Sequence, residues 1–126
     1  MLKILHVDDE ADIRSVTKLA LEAIGGFEVV SCASGQEAID SVADVAPDLI
    51  VLDVMMPEMD GPTTLIELQK VCVANPIPVI FMTAKTMPEE IDKLIKIGAI
   101  GVIAKPFNPM QLSKDVERIW NDRSLG

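Results

Sequence analysis

Five short apolar runs punctuate the chain, at residues 2–7, 27–32, 49–52, 78–82 and 100–104. None alternates regularly with polar residues, which is the pattern of parallel strands covered on both faces. The segments between them repeat their apolar positions at helical spacing. The first puts Ile13, Val16, Thr17, Ala20, Leu21 and Ile24 on one stripe and stops at Gly25-Gly26. The second opens at Ser34 with Glu37 three residues on, a capping box, carries Ala38, Ile39 and Val42, and cannot continue past Pro47. A third starts near Gly61-Pro62 and carries Leu65, Leu68 and Cys72. The fourth starts at Thr86, with the acid Glu89 three positions later, presents Ile91, Leu94 and Ile95, and closes at Gly98. The last starts at Asn108-Pro109, a cap followed by proline at the first helical position, and carries Leu112, Val116, Ile119 and Trp120.

Strict alternation of five strands with five helices predicts an α/β fold: an open parallel sheet with right-handed crossovers and helices on both faces. A chain of 126 residues suffices for one such domain and its core without disulfides or a structural metal. No linker or low-complexity stretch divides it, so residues 1–121 read as a single domain and residues 122–126 as a tail that frays. Aromatics are only 3% of the residues, so aliphatic and methionine side chains must fill the core.

Twenty acidic and eleven basic side chains leave a formal net charge of −9. A nucleic-acid binder needs a basic face to neutralise phosphates, and no stretch offers one. The acidic excess suits partners with basic surfaces, or a bound cation. No run approaches the roughly 18 apolar residues of a membrane span, and the first apolar run is too short for a signal peptide before charges follow. Cys32 and Cys72 lack the paired spacing of zinc or redox sites and read as small buried hydrophobes in a reducing compartment. A cytoplasmic protein that engages neither nucleic acid nor membrane is expected.

In open α/β sheets, ligands bind beyond the carboxyl ends of the strands. Here the first strand is followed by Asp8-Asp9-Glu10, the third by Asp53, the fourth by Thr83-Ala84 and the fifth by Lys105-Pro106. Carboxylates, a hydroxyl and an ammonium therefore converge on one rim. Clustered carboxylates repel one another, or titrate upward, unless a cation sits among them. A hard dication held by one or two carboxylates, waters and a phosphate describes Mg²⁺. A carboxylate can itself be the nucleophile that forms an aspartyl phosphate, with Mg²⁺, a lysine and a hydroxyl neutralising the phosphoryl oxygens. The acids after the first strand also suit the positive end of the first helix. His6 reads as a satisfied core residue rather than a phosphoryl carrier. Met55, Met56, Met59 and Met87 surround the site, either as gap-fillers or as an adaptable partner surface.

The segments VDDE, LIVLDVMMPEMDG, VIFMTA and AKPF resemble, in order and spacing, the signature blocks of response-regulator receiver domains of two-component signalling. The resemblance spans about residues 3–120. It implies a doubly wound, flavodoxin-like (βα)5 three-layer sandwich with a five-stranded parallel sheet in the order 2-1-3-4-5. It also implies that Asp53 accepts the phosphoryl group. Asp9 and Asp53 would ligate Mg²⁺ directly, Asp8 through water, and the backbone carbonyl of Met55 would be a further ligand. Lys105 would pair with Asp53 before phosphorylation and with the phosphoryl group after it, and Thr83 would swing inward to that group. Pro106 would follow a cis peptide bond that aims Lys105 into the site.

The function so implied is a switch that catalyses its own modification rather than a turnover enzyme. Its donor would be a sensor histidine kinase or a histidine phosphotransfer protein. The chain, a monomer or weak dimer, would then control a protein partner through its fourth helix, fifth strand and fifth helix. Two departures stand out. Val102 takes the place, three residues before Lys105, where the family often has an aromatic residue that reports phosphorylation to the surface. Met55 and Lys85 occupy the positions that tune loss of the phosphoryl group in the family, and Met55 offers nothing polar to orient water, so slow self-dephosphorylation is expected. The competing readings are a magnesium-dependent phosphohydrolase with an aspartyl nucleophile, which would carry a second acid where Met55 stands, and a receiver domain excised from a longer regulator or hybrid kinase. A flavodoxin-like cofactor binder is opposed by the acidic first turn, which would repel a phosphate.

Overall fold

A computed structural model describes residues 2–123 of the chain. Strands β1 (Lys3–Val7), β2 (Glu28–Cys32), β3 (Leu49–Asp53), β4 (Val79–Thr83) and β5 (Gly101–Ala104) alternate with helices α1 (Ala11–Leu19), α2 (Gly35–Val45), α3 (Gly61–Val71), α4 (Pro88–Lys96) and α5 (Leu112–Asp122). All strands pair in parallel in the order β2-β1-β3-β4-β5, as expected.

Successive strand residues face opposite sides of the sheet, and each side has its own core. Leu5, Val7, Ile50, Leu52 and Phe81 pack with Ala38 and Val42 of α2, Leu65 and Leu68 of α3 and Leu94 of α4. Ile4, Val51, Ile80, Met82 and Ile103 pack on the other face with Leu112, Val116 and Ile119 of α5 and with Ala20 and Leu21. Burying each of these side chains larger than alanine contributes about 1.5–3 kcal/mol. Three layers result, with β3 wholly buried at the centre.

Helix starts show where local chemistry decides. Ser34 Oγ accepts the Glu37 N–H at 3.1 Å, so α2 opens at the expected cap. Asp60 caps α3 through the Thr63 N–H at 2.9 Å. The fourth helix does not begin at Thr86. Proline disfavours helical geometry in the residue before it, so Met87 stays extended (φ −62°, ψ 145°) and α4 starts at Pro88. The last helix also begins later than expected. Asn108 closes a turn, its side chain accepting from Met110 N–H and its carbonyl from Gln111 and Leu112 N–H, and α5 proper begins at Leu112. It runs through Asp122, the first residue of the expected tail, while residues 124–126 lie outside the described part.

The stripe on the first helix is narrower than its spacing predicts. Thr17, Ala20 and Leu21 are buried, but Val16 and Ile24 are 41% and 44% exposed. From Ala20 to Ile24 the helix widens into a π-turn, whose i→i+5 winding carries Ile24 off the stripe. Val16 lies on the stripe's edge, one residue out of line with Thr17.

Candidate functional site

The chain reverses direction across the sheet between β1 and β3, which are adjacent although not consecutive. Their crossovers leave toward opposite faces, and the crevice at their carboxyl ends is the expected binding position of such a fold. Asp8 follows β1, Asp53 ends β3, Thr83 ends β4 and Lys105 follows β5. Gly61 lets α3 start against this crevice. A Cβ there would collide with the Asp53 carbonyl and stand 2.9 Å from Val54 Cα.

Asp8 is wholly buried and held through every polar group it has. Its N–H donates to the Cys32 carbonyl at 3.1 Å. Its carbonyl accepts from Arg14 Nη1 at 2.9 Å, Oδ1 from the Glu10 N–H at 2.9 Å, and Oδ2 from Lys105 Nζ at 3.1 Å. Asp9 and Glu10 are exposed at the mouth, and each offers a carboxylate oxygen within 4.8 Å of the others and of Asp8.

Asp53 is only 4% exposed. Lys105 reaches it as well, Nζ lying 3.3 Å from Oδ1, so one ammonium bridges two carboxylates. The Lys105 N–H donates to the Thr83 carbonyl at 2.9 Å, and the Lys105-Pro106 peptide is cis. Burial, followed by the charge of Asp8, pushes the Asp53 carboxyl up to about 6, against the smaller opposing pull of Lys105. Burial draws Lys105 down, but its hydrogen bonds and charge contacts with Asp8 and Asp53 outweigh this and raise it. Both directions are consistent, because one ammonium does not offset the burial and crowding of two carboxylates. An all-oxygen carboxylate cluster whose acid Asp53 is raised by burial and by crowding fits a hard dication.

The expected residues are not all joined. Thr83 is buried beside the crevice, but its hydroxyl accepts the Lys85 N–H at 3.0 Å rather than contacting Asp53. Met55 is 63% exposed on the loop after Asp53, and Met87 on the next loop is similarly exposed. Met56 instead fills the core. His6 is buried as expected but is not satisfied. Neither ring nitrogen has a hydrogen-bond partner among the described residues, nor do the buried hydroxyls of Thr17 and Ser31. Burial lowers His6 to about 4, so it is neutral at pH 7. Sequence reasoning missed the Asp8–Lys105 pair and Arg14. The available signal for Arg14 was a cation in the first turn of a helix, where the dipole disfavours it.

Residues 4–117 match the family model described as the response regulator receiver domain. The alkaline phosphatase synthesis transcriptional regulatory protein PhoP of Bacillus subtilis is 37% identical over 93% of this chain and 48% of its own length. A probable transcriptional regulator, ycf27, of Porphyra purpurea is 39% identical over 93% of this chain and 46% of its own. The chain thus spans about half the length of these curated relatives. The solved structure of the chemotaxis response regulator CheY4 of Vibrio cholerae superposes with a TM-score of 0.86 at 34% identity, covering 94% of this chain and 98% of that one. No helix among the described residues is long and apolar enough to cross a membrane. With its sheet order, its acid–lysine crevice and these matches in agreement, the chain belongs to the receiver domain family of two-component response regulators.

Proposed function

We propose that Asp53 accepts a phosphoryl group from the phosphohistidine of a sensor histidine kinase or histidine phosphotransfer protein, in a reaction that requires Mg²⁺. The observation that carries this reading is the Lys105 ammonium, 3.1 Å from Asp8 and 3.3 Å from Asp53 at the ends of separate strands. Asp9 and Asp53 would hold the ion directly, Asp8 through water, and the Met55 carbonyl would complete the protein's share. When bound, the ion relieves the repulsion among the carboxylates and the charge on the transferring oxygens. An Asp53 carboxylate oxygen attacks phosphorus as the donor's N–P bond breaks. The product is an acyl phosphate on Asp53, and the donor imidazole leaves with its electron pair. Lys105, already within reach of Asp53, then pairs with the phosphoryl oxygens, and Thr83 gives up Lys85 N–H to donate to one of them.

The product state favours one of two conformations of the chain and so controls a protein partner. The face of α4, β5 and α5 is the output surface. It carries a groove of about 310 Å³ lined by Val102, Phe107, Asn108, Gln111 and Arg118, among others. Val102 is half-buried there, so the event is not reported by an aromatic ring at that position. The free thiols Cys32 and Cys72 suit a cytoplasmic setting.

Incubation with Mg²⁺ and acetyl phosphate, followed by intact mass measurement, tests the reading. One added phosphoryl group is expected on the native chain and none on Asp53→Asn. No adduct on the native chain, with acetyl phosphate or with a phosphorylated donor, refutes it.

A further inference from the structure

We propose that Arg14 is a positioning residue for the dication site: its hold on the Asp8 carbonyl fixes the turn of residues 8–10 and thereby the spacing of the carboxylates. The inference rests on the magnesium-dependent reading given above.

Arg14 sits in the first turn of α1, where the unsatisfied N–H groups make a cation unfavourable. The N-cap of that helix makes no side-chain hydrogen bond, and Asp12 is the acid in the same turn that suits the dipole. A local rule broken in this way points to a role elsewhere. Helical side chains lean toward the helix N-terminus, and Arg14 uses this direction to reach back six residues to Asp8. Its donor goes to a carbonyl. Although three carboxylates cluster next to that carbonyl, Arg14 forms no ion pair with any of them among the described residues.

Asp9 and Glu10 have no hydrogen bond or ion pair to their carboxylates among the described residues. Their placement therefore depends on the backbone of the turn. Two contacts pin that backbone from within the turn and from the helix: Glu10 N–H to Asp8 Oδ1, and Arg14 to the Asp8 carbonyl. The arrangement leaves the outward carboxylate oxygens to a cation while tying down the peptide that carries them. Outer-sphere groups of this kind commonly change metal affinity about 10–100-fold.

Arg14 could affect Mg²⁺ in two opposite ways. As a nearby positive charge it would weaken binding, and as a clamp it strengthens it. Isothermal titration of the full chain with MgCl₂ at fixed ionic strength separates them, using Arg14→Met, which keeps the stem and loses the donors, and Arg14→Lys, which keeps the charge and one donor. The clamp predicts about tenfold weaker binding in Arg14→Met and recovery of most of it in Arg14→Lys. It also predicts faster amide exchange at Glu10 in metal-free Arg14→Met. Arg14→Met that binds Mg²⁺ as tightly as the native chain, or more tightly, overturns the inference. If Arg14→Met does not fold, Arg14→Leu, which also lacks a donor, replaces it, and native affinity there is equally contradictory. A native chain that binds no Mg²⁺ overturns both this inference and the reading beneath it.

Discussion

Lys105 Nζ lies 3.1 Å from Asp8 Oδ2, slightly nearer than its 3.3 Å approach to Asp53, so the lysine serves two carboxylates at once. Asp8 and Asp53 are both buried. Removing a partner from a buried pair costs about 3–5 kcal/mol, because the remaining charge is stranded. Lys105→Met should therefore lower stability at pH 7 by about 3 kcal/mol, the lower end, since Glu10 N–H still serves Asp8. Urea unfolding without Mg²⁺ measures this, and added Mg²⁺ should restore part of the loss.

Asp53 and His6 make opposite contributions to stability as pH changes. Asp53 rises from 3.8 to about 6 on folding. Between those values the folded chain holds more protons than the unfolded one, so this group's contribution falls as pH rises. Asp53→Asn should be more stable than the native chain at pH 7 by about 2–3 kcal/mol, an advantage that fades as pH drops from 6 to 4. His6 falls from 6.5 to about 4. The unfolded chain then takes up the proton first, and stability is lost as pH falls through that window. His6→Leu should gain on the native chain over the same descent. Unfolding curves from pH 4 to pH 7 distinguish the two slopes.

Gly61 is the point at which α3 meets the end of β3. A methyl group there would press on the Asp53 carbonyl, Val54 Cα and the Phe81 ring. Gly61→Ala should lose about 1–3 kcal/mol, the usual penalty of overpacking, and its Asp53 should be phosphorylated more slowly because its backbone is displaced. Thermal melts and timed phosphorylation by acetyl phosphate report the two effects separately.

Met55 stands exposed two residues after Asp53, the proposed acceptor, and has no group that can align a water for attack on an acyl phosphate. Met55→Asn supplies one. Its phosphoryl half-life should be several-fold shorter than that of the native chain, measured by loss of the mass adduct after the phosphodonor is removed. An unchanged half-life would disprove this account of the position.

The sheet was legible because its five apolar runs are each bounded by turns or charges, and each run lies within a residue or two of its strand. The site was legible because Asp8, Asp53, Thr83 and Lys105 each mark a strand end, a position that sequence locates well. Three features were not legible. The π-turn at Ala20–Ile24 is a winding defect without a residue signature, and it exposes Ile24. The start of α4 was masked because Thr86 and Glu89 mimic a capping box, whereas Pro88 forces Met87 out of the helix. The Asp8–Lys105 pair and the Arg14 clamp join side chains to partners that only the folded crevice brings together.

The claim that Asp53 is the acceptor is tested most directly by locating the phosphoryl group. The chain would be phosphorylated by a histidine-phosphorylated donor with Mg²⁺, reduced with borohydride, which converts an aspartyl phosphate to homoserine, and mapped by peptide sequencing. Homoserine at position 53 alone is the predicted result. Homoserine at another aspartate, or a phosphoryl group retained on His6, would contradict it.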